Sequence, residues 1–145
     1  MPTKASCKDV VHWIQYACDH APELELKHVV IHAHGGDGVI YITETETINL
    51  ANVDVFSQLR VKDIGTIWIH SCEVAKSTTG KAFCAKMARA VGCDVVAADT
   101  DQEDWWKPLG SVFMPSGCID DFEGNVYRWS GAGNMEAFFP NGKEF

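Results

Sequence analysis

Val29-Val30-Ile31-His32-Ala33-His34-Gly35 and Ile64-Gly65-Thr66-Ile67-Trp68-Ile69-His70-Ser71-Cys72 share one shape: an apolar run that stops abruptly at a reactive side chain. Runs of this length, bounded by glycine and polar residues, predict strands buried on both faces, as in parallel sheets covered by helices. Such strands deliver side chains to the carboxyl edge of the sheet, where open α/β folds assemble their sites. A His ending one run and a Cys ending the other make a candidate base and nucleophile that can meet in space although distant in sequence.

Working outward, Ser6 or Asp9 can cap a first helix with the apolar stripe Val10, Val11, Ile14 and Ala17 or Cys18, Trp13 at its edge, and an end near Pro22. A strand over residues 28–33 follows, then the turn Gly35-Gly36-Asp37-Gly38 and a short β run over 39–42. Glu44-Thr45-Glu46-Thr47 suits an edge strand pair or a hairpin tip. Asn52 or Asp54 can cap a short helix through Arg60, with Val55, Phe56 and Leu59 facing inward. Beyond the second buried strand, Ser77-Thr78-Thr79 and Gly80 lead into a helix over 81–91, and Gly92 sits at its expected C-cap. Asp94-Val95-Val96-Ala97-Ala98 reads as a third buried strand ending at Asp99. Strands alternating with helices predict right-handed crossovers and a mostly parallel sheet in a three-layer α/β/α arrangement. From Thr100 the character changes to an acidic loop carrying Trp105 and Trp106. Short runs separated by turn signals at Gly117, Glu123-Gly124-Asn125, Gly131-Ala132-Gly133-Asn134 and Pro140-Asn141-Gly142 then predict a C-terminal β-hairpin extension over 101–145.

The 145 residues suit one domain, 1–145, able to bury about two-thirds of its unfolded surface without covalent staples. The six cysteines (Cys7, Cys18, Cys72, Cys84, Cys93, Cys118) include no Cys-x-x-Cys pair, and Cys18 and Cys84 fall on apolar helix faces, which favours reduced thiols. A net charge of -8 argues against nucleic acid, whose phosphates need clustered Lys and Arg, and suits a basic peptide better. The first residues lack the apolar core of a signal peptide, and no run of eighteen apolar residues exists. The expectation is a soluble chain with no membrane contact, cytoplasmic or exported by a route without a signal peptide.

Cys72 sits where a strand gives way to a polar turn, leaving its backbone N–H free to point at a substrate oxygen. A thiol is useful as thiolate, and the imidazole of His34 can supply that activation. Gly35 admits a substrate carbonyl close to the main chain, so the Gly35 and Cys72 amides can form an oxyanion hole. The other five cysteines have no such setting. His32 and His34 lie two apart, as do His70 and Cys72, so each pair is expected on one strand face. His32 and His70 then either line the site or, with His34 and Cys72, offer three imidazoles and a thiolate to zinc. No cofactor and no metal is expected under the dyad reading.

The motifs Val30-Ile31-His32-Ala33-His34-Gly35-Gly36-Asp37-Gly38 and Trp68-Ile69-His70-Ser71-Cys72-Glu73-Val74-Ala75, followed by Gly80-Lys81-Ala82-Phe83 and Gly92-Cys93-Asp94-Val95-Val96-Ala97-Ala98, resemble those of the caspase-like cysteine peptidases. They are similar to a caspase-like domain of unknown function at the head of large bacterial surface proteins, and to CHAT domains. The resemblance covers roughly residues 24–100. It implies a caspase-like sheet, a cysteine endopeptidase acting on peptide or protein substrates, His34 as general base and Cys72 as nucleophile. In those families the acyl-side pocket lies near the end of the strand after the nucleophile; here that edge carries Asp99, Asp101, Glu103 and Asp104, which suit Arg or Lys. His70-Ser71 stand where caspases have Gln-Ala. The chain opens on a helix where the family's sheet has its first strand, leaving the sheet truncated or completed by a partner subunit or a second copy. The alternatives are a catalytically inactive caspase-like module binding peptides through its sheet edge, and a zinc-binding hydrolase using His32, His34, His70 and Cys72.

Overall fold

The computed structural model describes residues 6–43, 45–71, 73–99 and 125–139. Helix α1 (Cys7–His20) begins at Ser6, whose hydroxyl accepts from the Asp9 N–H at 3.4 Å while the Asp9 carboxylate accepts from the Ser6 N–H at 2.8 Å. This reciprocal pair satisfies two of the donors that every helix start leaves open. Cys7, Val10, Val11, Ile14 and Cys18 form the buried stripe, so Cys18 rather than the exposed Ala17 completes it.

Eight strands follow among the described residues: β1 (Glu25–His32), β2 (His34–Gly36), β3 (Val39–Tyr41), β4 (Thr47–Ile48), β5 (Asp63–His70), β6 (Asp94–Ala98), β7 (Val126–Trp129) and β8 (Met135–Phe139). Helix α2 (Thr78–Val91) joins β5 to β6. Val53–Val61, where a short helix through Arg60 is expected, is a 3-10 helix. Its buried residues explain this: Val53, Phe56 and Leu59 recur every three residues, the spacing that lines one edge of a three-per-turn helix. Helix α2 starts at Thr78, three residues before the expected position, because the Ser77 hydroxyl accepts from the Thr79 N–H at 3.2 Å. It ends at Gly92, whose φ of 77° is the left-handed C-cap anticipated from the sequence.

The main sheet has the order β1-β5-β6-β7-β8. Pairing is parallel from β1 to β5 and from β5 to β6, and antiparallel from β6 to β7 and from β7 to β8. Four strands therefore share one direction and β7 alone opposes them, a mixed sheet within an α/β fold. The hairpin turn predicted at Gly131-Ala132-Gly133-Asn134 joins β7 to β8 and continues the sheet, with Ser130 N–H donating to Asn134 O at 2.8 Å. The turns predicted at Gly117, Gly124 and Asn141 lie outside the described residues. Strands β2, β3 and β4 form a separate small sheet.

Strand alternation divides the main sheet into two faces. Val29, Ile31, Ile67, Ile69, Val95, Ala97, Tyr127 and Trp129 join one cluster with α1, α2 and the 3-10 helix. Val30, Trp68, Val96, Ala98 and Val126 form a second cluster on the opposite face. Among the described residues the helices thus make one layer against the sheet.

Close packing of β1 on β5 has a specific steric condition. A Cβ at Gly65 would lie 2.5 Å from the Lys27 carbonyl oxygen, a backbone atom that cannot move aside. Gly65→Ala should therefore cost about 1–3 kcal/mol, the usual range for an overpacked site. Urea unfolding that gives an unchanged midpoint would show that the two strands are not held this closely.

Candidate active site

Strands β1 and β5 run in register from Glu25 opposite Asp63 to His32 opposite His70. Both therefore stop at the same level of the sheet's carboxyl edge. The His32 and His70 rings stack with centroids 5.2 Å apart and planes at 23°. By strand alternation both belong to the face of Val30 and Trp68, away from the helices. His70 is only 4 % exposed. Burial, with the nearby His34 imidazole adding to it, holds His32 below the ordinary histidine range.

The expectation that His32 and His34 share one strand face does not hold. The strand breaks at Ala33, and residues 34–36 pair with β3 instead of continuing beside β5: His34 is opposite Tyr41 and Gly35 opposite Ile40. His32 stays in the main sheet, while His34 opens the small sheet and is exposed. His32 is thus half-buried in the main sheet, while His34, the expected base, is accessible.

On the β5 side, Ser71 is 1 % exposed, and its hydroxyl has no hydrogen-bond partner among the described residues. Cys72 lies outside the described residues. Its chain neighbour Glu73 has φ 54°, the left-handed region that costs a side-chain-bearing residue about 1–2 kcal/mol. Such a conformation persists when its surroundings over-determine it. Here Val74 and Ala75 are fully buried, the Ala75 N–H donates to Ala98 O at 2.9 Å, and the Lys76 N–H donates to Glu73 O at 3.1 Å. The turn after Cys72 is in this way tied to the end of β6.

Sequence reasoning missed Asp37 as a site residue. Its carboxylate accepts from the Ser77 N–H at 2.9 Å and from the Ser77 hydroxyl, and the Gly80 N–H adds a further bond. Burial disfavours the charged form, but these bonds from Ser77 and Gly80, with the Lys76 charge, outweigh it and hold the carboxyl below its usual range. Beside it, the Gly38 N–H donates to Val74 O at 2.9 Å, with Gly38 at φ 74°. The available signal was an acid inside the glycine turn together with a Ser at a helix N-cap.

Asp99 follows β6 at the same edge. Its carboxylate accepts from the Asn125 N–H and side-chain amide, both at 3.1 Å, and from the Tyr127 hydroxyl at 3.2 Å. Burial and the Asp99 charge raise the Tyr127 pKa. Asp101, Glu103 and Asp104 lie outside the described residues. Among the described residues no group of three His, Cys, Asp or Glu side chains is arranged to hold a metal ion.

Cys7, Cys18, Cys84 and Cys93 are free and buried. Desolvation pushes Cys7 up to about 11 and Cys93 to about 12, and raises Cys18 and Cys84 as well. All four therefore resist thiolate chemistry in the folded state. Maleimide labelling of native protein at pH 7, mapped by peptide mass spectrometry, should leave these four unmodified; rapid labelling of any of them would contradict their burial.

A second expectation concerns His32. Its folded pKa lies below the unfolded value of about 6.5, so the unfolded chain binds the proton more readily. Stability from this group is full above that value and is lost as pH falls through the interval down to the folded pKa. The difference in urea midpoint between wild type and His32→Gln should shrink or reverse between pH 7.5 and pH 5, and a pH-independent difference would remove His32 as a cause.

No helix among the described residues is long and apolar enough to cross a membrane. No curated protein and no solved structure matches the chain. The family model described as a domain of unknown function (DUF4347) matches residues 4–103, and the chain belongs to that family.

Proposed function

We propose that this chain is a cysteine peptidase of caspase-like architecture in which His34 activates Cys72. The observation that carries the reading is the in-register pairing of His32 with His70 at the ends of adjacent parallel strands. His34 and Cys72 are each two residues beyond that pair. With consecutive Cα atoms about 3.8 Å apart, residues two positions beyond adjacent strand ends can reach one another. An exposed His34 and a half-buried His32 further support His34 as the group that meets substrate.

In the proposed reaction His34 takes the Cys72 thiol proton, and the thiolate attacks a peptide carbonyl carbon. The amides of Gly35 and Cys72 hold the resulting oxyanion. Gly35 lies one pair beyond the two residues that close the β2–β3 turn, and in an antiparallel ladder such a pair points its N–H groups outward, away from the partner strand. Collapse of the intermediate expels the amine, protonated by the His34 imidazolium, and leaves a thioester. Water activated by His34 then adds to the thioester and regenerates the thiol.

Acidic residues after β6 favour Arg or Lys on the acyl side of the scissile bond. Asp99 is engaged by Asn125 and Tyr127, so it would contribute charge at a distance. The family resemblance further implies a third layer on the Trp68 face and a sheet continued past β1 by a partner subunit or a second copy.

A cleavage profile on a mixed peptide pool tests the reading. Wild type should cut after basic residues, Cys72→Ala should abolish cutting, and His34→Ala should slow it by about 10²–10⁴-fold. Identical profiles for wild type and Cys72→Ala would leave the peptide-binding module in its place. Stoichiometric zinc that is lost in His32→Ala would favour the metal-binding alternative.

A further inference from the structure

We propose that Asp37 is a positioning residue that fixes the His34–Gly35 hairpin onto the turn following Cys72; the inference rests on the peptidase reading and names the contact that sets its geometry. Two segments distant in sequence meet here through several independent bonds. Asp37 receives the N–H and the hydroxyl of Ser77, and the Gly80 N–H as well. One residue on, the Gly38 N–H donates to the carbonyl of Val74, itself two residues past Cys72. A side chain at Gly80 would collide with both the Val74 carbonyl and the Asp37 carboxylate, and a Cβ at Gly38 would sit 3.3 Å from Thr79. Glycine at both positions lets the hairpin tip, the turn and the first turn of α2 close on each other.

The chemistry of the contact suits a rigid clamp. The carboxylate lies at the N-terminus of α2, where open N–H groups and the helix dipole favour a negative charge. Ser77 relays it: the hydroxyl donates to Asp37 while accepting from the Thr79 N–H at 3.2 Å. At the other end of the same turn, the left-handed Glu73 and the Ala75 to Ala98 bond fix the chain. Residues 73–77 are thereby held at both ends, one anchored to β6 and the other to the hairpin that carries His34 three residues before Asp37. In the proposed arrangement Asp37 acts through the hairpin and the turn, setting the distance between the base and the thiol.

Alkylation of Cys72 by iodoacetamide, followed by mass spectrometry from pH 5 to 10 alongside thermal unfolding, separates this role from simple helix capping. Asp37→Asn keeps one acceptor for Ser77 but removes the charge and one lone-pair set. It should slow Cys72 alkylation at pH 7 by about tenfold or more, the scale of a misplaced catalytic group, and move the pH midpoint up toward about 8.5, that of an ordinary thiol. In a His34→Ala background the same substitution should change the rate by less than about twofold, because the pair it positions is gone. Ser77→Ala should shift rate and midpoint in the same direction and decides the matter by the same readings if the Asn variant does not fold. A lowered unfolding temperature with rate and midpoint unchanged would make Asp37 a helix cap only and overturn the inference. An ordinary thiol midpoint in wild type, unaffected by His34→Ala, would overturn the dyad and this inference together.

Discussion

The parallel, in-register pairing of β1 with β5 is the constraint on which the rest depends. Parallel strands have no short connection, so the chain must travel from the end of β1 to the start of β5 through the small sheet and the 3-10 helix. That excursion places His34 and Gly35 in a hairpin at the carboxyl edge and returns the chain to the opposite end of the sheet. Register then decides what meets at the edge. A shift by one residue would send the whole of one strand's apolar set to the wrong face, so burial of Ile31, Ile67 and Ile69 against the helices fixes His32 opposite His70.

The same alternation orders the face away from the helices from one end to the other. At the amino ends of the parallel strands it is polar: Arg128 pairs with Asp94 at 2.8 Å and donates to Thr66 at 3.4 Å, while the Trp68 indole donates to His28 at 3.0 Å. Its middle is the apolar cluster of Val30, Trp68, Val96, Ala98 and Val126. At the carboxyl end stand His32 and His70. The Asp94–Arg128 pair is part-exposed, so its value for stability is modest. Its position nevertheless leaves the other end of the face to the histidines, where desolvation lowers the His32 pKa.

Elements with strong periodicity or chemical punctuation were legible in the sequence. The stripe of α1, the cap at Gly92 and the parallel pairing of the two apolar runs up to His32 and His70 each carry a local physical cause, and each appears as expected. What was not legible depended on distant partners. Ala33 breaks a strand because residues 34–36 find β3, not because of anything in Ala33 itself. The direction of β7 depends on its partner β6, and no local pattern encodes it. Asp37 looked like an ordinary turn acid, since Ser77, forty residues on, is what gives it a role.

The thiols illustrate how placement on the fold, more than residue type, assigns chemistry. Cys7, Cys18, Cys84 and Cys93 sit among apolar groups, where removal of water disfavours the thiolate and each sulfur behaves as a small hydrophobe. Cys72 follows the last paired residue of β5 by two positions and precedes a residue in left-handed conformation, in a stretch whose backbone is held by Ala98 on one side and Asp37 on the other.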